Sequence, residues 1–230
     1  MKSLVSTRNR IIESLPAAER LDLFSDLAVT ELKRGQVLYR PDEAIELIYF
    51  PERAVISFLG NTGDGGTVEL WSVGHEGVAG MSGILATGSP FRAVVQVEGR
   101  ALSIKRAALL RHFKRSDAFH DCILRYYHCL LMQASQLGVC NNAHPVEQRF
   151  SRWLLMLQDR SGASRLHMTQ ESIAGALGTR RATISVAAAA LQDAKVISYT
   201  PGSIQINSRR RLQATTCHCY KFIKSHFDAA

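Results

Sequence analysis

No apolar run in this sequence approaches the ~20 residues that a membrane span needs. Runs such as "AAAAL" (187–191) stop far short. The opening segment, "MKSLVSTRNRIIESLP", has neither the unbroken apolar stretch nor the small-residue cleavage pattern of an exported chain. The expectation is a cytoplasmic protein with no membrane partner. Cysteine is sparse and odd in number: Cys122, Cys129, Cys140, Cys217 and Cys219. Without an export signal, that set argues against a disulfide framework. Catalytic signatures are missing as well. There is no Walker-type loop, no Gly-x-Ser-x-Gly elbow and no His-Glu-x-x-His pair. The glycines of "NTGDGG" (61–66) suit a hairpin turn better than a phosphate cradle. An enzyme is not expected.

What the sequence does have is positive charge. The formal net charge is +8 over 230 residues, with a pI of about 9.5. Such a balance favours a polyanionic partner. Arg180, Arg181, Arg209, Arg210 and Arg211 fall in the C-terminal part, with few acids nearby. The hydrophobic fraction of 46% is enough for a packed core.

The texture changes along the chain. Residues 1–29 predict short helices, with Pro16 at a first-turn position. Residues 30–105 alternate short β-branched or aromatic runs with Gly, Asp, Asn and Pro, which predicts a small antiparallel barrel, sandwich or roll. Residues 106–142 return to helical spacing. In the long segment "AFHDCILRYYHCLLMQASQLGVC" (118–140), one apolar row runs through Ile123, Tyr126, Leu130, Gln133, Leu137 and Cys140. A second runs through Leu124, Tyr127, Leu131 and Ala134. One row can lie on the strand domain and the other on a second copy of the helix; a fully buried core helix is the alternative. Pro145 ends the segment, and another helix follows with Phe150, Trp153, Leu154 and Leu157 on its apolar face. The expected division is 1–115 for helices and β-roll, 116–142 for a dimerisation helix, and 143–230 for a C-terminal domain.

That last region carries the chemistry. Thr169 is a plausible N-cap with Gln170 and Glu171 in the first turn, and Ile173 and Leu177 share a buried face. Gly178 permits a sharp reversal. Thr179 is then expected to cap a second helix running from Arg180 to about Ala194, with Ile184, Ala187, Ala188 and Leu191 inward. Two helices around a tight glycine turn make a helix-turn-helix. "VISY" and "SIQI" flank Pro201 and Gly202, a type II turn signature, so a hairpin wing follows. Two arginines at a helix N-terminus are locally unfavourable against the helix dipole unless an external anion relieves them. DNA supplies one. Recognition-helix N-termini meet base edges in the major groove, where Arg pairs with guanine O6 and N7. The expected DNA-facing set is Thr169, Gln170, Thr179, Arg180, Arg181, Thr183 and Ser185.

With those residues in view, the sequence resembles the Crp/Fnr family of bacterial transcription regulators over nearly its whole length. The resemblance is strongest over "HPVEQRFSRWLLMLQDR" (144–160) and "MTQESIAGALGTRRATISVAAAALQDAKVISYTPGSIQI" (168–206). Weaker similarity covers "LKRGQVLYRPDEAIELIYFPERAVISFL" (32–59) and "CHCYKFIK" (217–224). It implies an α+β fold: an N-terminal antiparallel β-roll of cyclic-nucleotide-binding type, a long dimerisation helix and a C-terminal winged helix-turn-helix. Arg181 and Thr183 match the family's recognition-helix Arg and Thr. Ala182 stands where many members have Glu, and Val186 where many have a second Arg, so the half-site sequences of other members do not transfer. Members that bind cyclic AMP use a Gly-Glu pair and an Arg-Ser pair. Here Arg92 is followed by Ala93, and Gly80 and Met81 occupy the ribose region. A cyclic nucleotide is therefore not expected. Arg92 is either a site for another anion or a surface strand residue.

An iron–sulfur cluster is not expected either. The family's cluster-binding members use cysteines near the N-terminus, and here none precedes Cys122. A lone His or Cys heme ligand would leave no spacing signature. Cys217, His218 and Cys219 suggest metal, but consecutive residues on a helix point in different directions, so no metal ligand set is expected. Cys219, Tyr220 and Ile223 are expected to pack on the winged helix instead. Cys122, Cys129, His128 and Cys140 invite a redox or metal role across a dimer; buried packing is the alternative. The sequence thus predicts a homodimeric, DNA-binding transcription regulator on a pseudo-palindromic duplex, with a degenerate sensor domain and RNA polymerase as a further partner. The alternative is a small-molecule or redox sensor that acts through a protein partner, with vestigial DNA binding.

Overall fold

The computed structural model describes residues 6–63, 65–86 and 88–229. Two short helices, α1 (Arg10–Glu13) and α2 (Ala17–Asp26), precede seven strands. These are β1 (Ala28–Leu32), β2 (Val37–Tyr39), β3 (Leu47–Pro51), β4 (Val55–Asn61), β5 (Thr67–Val73), β6 (Arg92–Val97) and β7 (Gly99–Lys105), with a single-turn helix α3 (Ser82–Leu85) between β5 and β6. They form two antiparallel sheets, ordered β1-β7-β3 and β2-β6-β4-β5. Ile48, Phe50, Val55, Ile56, Val95 and Ile104 are buried between them. This is the expected roll. Asn9 fastens α1 to it: the side chain accepts from Ile12 N, and Nδ2 donates to the carbonyls of Pro51 (3.0 Å) and Gly77 (2.8 Å).

Helix α4 (Arg106–Arg115) leads into α5 (Asp117–Ala143). Ser116 caps α5 by accepting from Phe119 N at 2.9 Å. Its 27 residues span about 40 Å. The first apolar row is buried at Ile123, Tyr126, Gln133, Leu137 and Cys140, whereas Leu124 and Leu131 of the second are 50% and 59% exposed. Helix α6 (Val146–Ser161) follows Pro145, and Phe150, Trp153, Leu154 and Leu157 are fully buried as the pattern requires.

The C-terminal part comprises β8 (Arg165–His167), α7 (Gln170–Leu177), α8 (Arg181–Asp193), β9 (Ile197–Thr200), β10 (Ser203–Ile206), α9 (Arg209–Ala214) and α10 (Cys219–Ala229). The wing has three strands, β8-β10-β9, one more than the predicted hairpin. Arg165 and its neighbours, which look like loop in sequence, pair with Ser203–Gln205. Helix α10 meets expectation only in part: Tyr220 bonds Arg209 and Asp159 of the C-terminal part, but most of the helix packs elsewhere. It runs back along α5, with Cys129 Sγ donating to the His226 carbonyl at 3.3 Å and the Tyr126 and Phe227 rings 6.3 Å apart, and it also touches α6.

A polar knot joins the two halves. Arg160, near the end of α6, is buried, and its Nε donates to Glu76 Oε1 at 2.6 Å. Nη1 donates to Ser72 Oγ at 2.8 Å and Nη2 to Gln133 Oε1 at 2.7 Å. Trp153 Nε1 donates to Glu69 of β5 at 3.1 Å. Helix α7 lies against β5 as well. No helix among the described residues is long and apolar enough to cross a membrane.

Candidate nucleic-acid interface

Local chemistry builds the helix pair. Thr169 caps α7: its hydroxyl accepts from Ser172 N at 3.1 Å, and Ser172 Oγ returns the bond to the Thr169 backbone. The return partner is Ser172, and Glu171 stands in the first turn. Gly178 closes α7 in the left-handed region at φ 58°, a conformation that costs glycine no Cβ clash. Ile173, Leu177, Ile184, Ala187, Ala188 and Leu191 are all buried. Alanines at 187 and 188 let α8 approach its neighbours closely. In the wing, Gly202 at φ 81° makes the predicted turn between Thr200 and Ser203.

One expectation needs correcting. Thr179 is not the cap of the second helix. The N-cap is Arg180, in extended backbone (φ −81°, ψ 145°), and its side chain makes no cap hydrogen bond. An arginine side chain has no acceptor with which to cap. The start of α8 therefore offers open N–H groups and positive dipole, a setting that suits phosphate. Arg180, Arg181 and Thr183 are exposed there, and Thr179 and Ser185 are half-buried. Among the described residues, neither arginine has an ion-pair partner. Ser185 Oγ donates to Gln170 Oε1 at 2.7 Å, which joins the starts of the two helices.

The fold brings together all seven predicted DNA-facing residues, on α7, the turn and α8. Arg92 lies on the roll and not on the helix pair, although its cleft reaches Thr169. It is exposed at the first position of β6 and lines a cleft of about 560 Å³ between the roll and α7, where Arg34 and Thr169 also lie. Arg209 is committed elsewhere. It pairs with Asp159 at 2.6 Å and donates to the Tyr220 hydroxyl at 2.6 Å, and Tyr220 donates to Asp159 at 2.7 Å. Burial, with Asp159 second, pushes the Tyr220 phenol up to about 12. Val186, marked in the sequence only as the place of a missing second Arg, gains a character of its own in the structure. It is 67% exposed on the outer face of α8, a large apolar side chain left in water two turns or less from the Arg180–Arg181 pair.

The cysteines divide into two groups. Cys122 contacts Ser14 Oγ at 3.2 Å, and Cys129 reaches the backbone of α10; each is buried singly, and His128 is exposed. Cys140, Cys217 and Cys219 instead form a small buried cluster of their own. Cys217 and His218 precede α10 rather than lying on it, so Cys217 and Cys219 are not splayed as helical neighbours would be.

A β-roll joined through a long helix to a winged helix-turn-helix places the C-terminal part in a class of DNA-binding folds. Residues 148–215 match the model of the Crp-like helix-turn-helix domain. In fold, the whole chain is similar to solved Crp/Fnr regulators. It is similar to FixK2 from Bradyrhizobium japonicum, with 16% identity, a TM-score of 0.69, and coverage of 83% of this chain and 98% of that one. It is also similar to a CRP-family transcriptional regulator from Thermus thermophilus, with 16% identity, a TM-score of 0.68, and coverage of 81% and 95%. A third is the c-di-GMP-responsive global regulator CLP of Xanthomonas campestris, with 14% identity, a TM-score of 0.66, and coverage of 84% and 100%. No curated protein matches the chain in sequence.

Proposed function

We propose that this protein is a homodimeric, sequence-specific DNA-binding transcription regulator. The observation that carries the reading is the open cationic start of α8, with Arg180 and Arg181 exposed and uncapped on a Crp-like helix-turn-helix. Arg181 reads a guanine edge, and Arg180 with the first-turn amides holds phosphate. Thr179 and Thr183 are short polar partners for the backbone or bases at the same end. Val186 offers an apolar contact to a thymine methyl where other readers would place a cation. Gln170, held by Ser185, and Thr169 approach the flanking phosphates.

Dimerisation uses the exposed row of α5, in which Leu124 and Leu131 stand one heptad apart. Two recognition helices then enter successive major grooves about 34 Å apart on a pseudo-palindrome. The roll is a degenerate sensor of cyclic-nucleotide type. Ala93 follows Arg92, and no carboxylate replaces Gly80 or Met81. A signal received there acts by shifting the population of two dimer arrangements. The protein works in the cytoplasm, with RNA polymerase as a further partner.

The test is selection from a random duplex library at about 0.15 M salt, where non-specific electrostatics are damped. Enrichment of a two-fold symmetric site, with half-sites one helical turn apart, is the expected result. Retention with no enriched sequence, with or without an added metabolite extract, overturns the reading in favour of a sensor that acts through protein.

A further inference from the structure

Away from the nucleic-acid interface, four metal-ligating side chains converge where the end of α5 meets the turn before α10. Cys140 lies in the last turn of α5, and His144 is its C-cap. Cys217 lies in the turn, and Cys219 begins α10. One ligand atom from each, three sulfurs and an imidazole nitrogen, lie within 4.8 Å of one another. Cys140 Sγ is 3.5 Å from Cys217 Sγ, and His144 Nδ1 is 3.6 Å from Cys219 Sγ. Around a tetrahedral zinc ion, with bonds of about 2.3 Å to sulfur and 2.0–2.1 Å to nitrogen, neighbouring ligand atoms stand roughly 3.5–3.8 Å apart. The two closest pairs already have that spacing.

Packing alone explains a single buried cysteine, as at 122 and 129. It does not explain three thiols and an imidazole aimed at one point. The surroundings add an independent observation. Arg152 and Arg149, on the adjacent α6, are 3% and 8% exposed. Neither has a carboxylate partner among the described residues, and the Nε of each lacks a hydrogen-bond acceptor. Arg152 Nη1 reaches only Met156 Sδ, and Arg149 Nη2 reaches the Leu177 carbonyl. A buried cation without a counterion is costly. Three thiolates, a neutral imidazole and a divalent ion sum to −1, which offsets one of the two buried cations. The outer contacts fit as well. Gln136 Nε2 donates to Cys219 Sγ at 3.0 Å, and the His218 ring packs edge-on against His144 at 5.1 Å, holding the ligating ring.

We propose that Cys140, His144, Cys217 and Cys219 form a Cys₃His site for Zn²⁺ that pins the start of α10 to the end of the long helix. The softness of the donor set selects zinc over magnesium, calcium or manganese. The site stands beside the joint at His144 and Pro145, between α5 and α6. Metal therefore fixes the angle at which the winged helix leaves the long helix.

The experiment is anaerobic titration of the reduced full-length protein with Co²⁺, followed by displacement with Zn²⁺. One Co²⁺ per chain is expected, with thiolate-to-cobalt charge transfer and the intense visible bands of tetrahedral cobalt, all removed by equimolar Zn²⁺. X-ray absorption of the zinc form of the unmutated protein should read three sulfurs and one nitrogen, independently of whether any variant folds. Cys217→Ser and Cys219→Ser should each weaken binding by more than about 100-fold. Cys122→Ser and Cys129→Ser should leave it unchanged. Gln136→Leu should weaken it about 10-fold or more. The proposal is overturned by an oxygen-rich octahedral cobalt spectrum, or by Zn²⁺ binding that survives Cys217→Ser and Cys219→Ser. It is also overturned if the reduced protein takes up no metal while Cys140 and Cys217 readily form a disulfide in air.

Discussion

Arg160 Nε lies 2.6 Å from Glu76 Oε1, and this buried ion pair ties α6 of the C-terminal half to the turn after β5 in the roll. Ser72 and Gln133 each accept from one of the two terminal nitrogens, so every guanidinium nitrogen has a partner. Removing Glu76 leaves that charge buried and short of its anion. Glu76→Leu is expected to cost about 3–5 kcal/mol. The double variant Glu76→Leu with Arg160→Met should recover part of the loss. Urea unfolding checks both, and a double variant less stable than Glu76→Leu would contradict the assignment.

Two arginines in the same basic region should behave oppositely. Arg181→Ala removes an exposed cation with no internal partner. It should lose ~1–3 kcal/mol of affinity at the selected site, little on random duplex, and no thermal stability. Arg209→Ala breaks a half-exposed contact with Asp159 and Tyr220. It should lose up to about 1 kcal/mol of stability and leave DNA affinity unchanged. Fluorescence anisotropy paired with thermal melts separates the two. Equal losses of Arg181→Ala on both duplexes would reduce that residue to a phosphate contact.

Thr169 has a job before any DNA arrives. Its hydroxyl completes the reciprocal cap of α7, so Thr169→Ala should cost about 1 kcal/mol of stability. Thr169→Asp keeps the cap but adds an anion. It should fold as well as the parent and bind DNA more weakly, with the deficit shrinking as salt rises. A deficit that does not change with salt would place the residue away from phosphate.

Leu124 and Leu131 are the large apolar side chains that α5 presents to water one heptad apart. Leu124→Glu with Leu131→Glu should give a folded monomer, with little change in its own stability because neither side chain is in the core. Its affinity for a two-fold site should fall steeply, since each half then binds alone. Sedimentation equilibrium is the check, and a dimer that survives both changes would move the interface elsewhere.

Val186→Ser should relax discrimination at one base pair, by ~1–3 kcal/mol for a thymine, while the rest of the site keeps its order of preference. A repeated library selection reads this directly. An unchanged site would show that the exposed valine never meets a base.

Features governed by local rules were legible in the sequence. The cap at Thr169, the glycine at 178 and the spacing of Ile173, Leu177, Ile184 and Leu191 need only neighbours within a turn or two, and the helix-turn-helix follows from them. The start of α8 was misplaced by one residue because Thr179 is the better capping side chain, yet the turn sets Arg180 in the extended conformation that a cap position requires. Strand β8 was missed because Arg165–His167 gains its order from β10, far along the chain. The convergence of Cys140 with Cys217 spans 77 residues, and no local period reports it. The triplet at 217–219 was assumed helical throughout, and that assumption hid its geometry.

Helix α10 follows the winged helix in sequence but lies chiefly along α5 in space, with Tyr220, Ile223 and Phe227 buried. Position along the chain and membership of a folding unit therefore disagree at this end. A recombinant fragment cut at the joint near residue 145 and carried through α10 would keep Tyr220 on Asp159 and Arg209 but strip α5 from the face of α10 that carries Phe227. It would be prone to clump in the test tube.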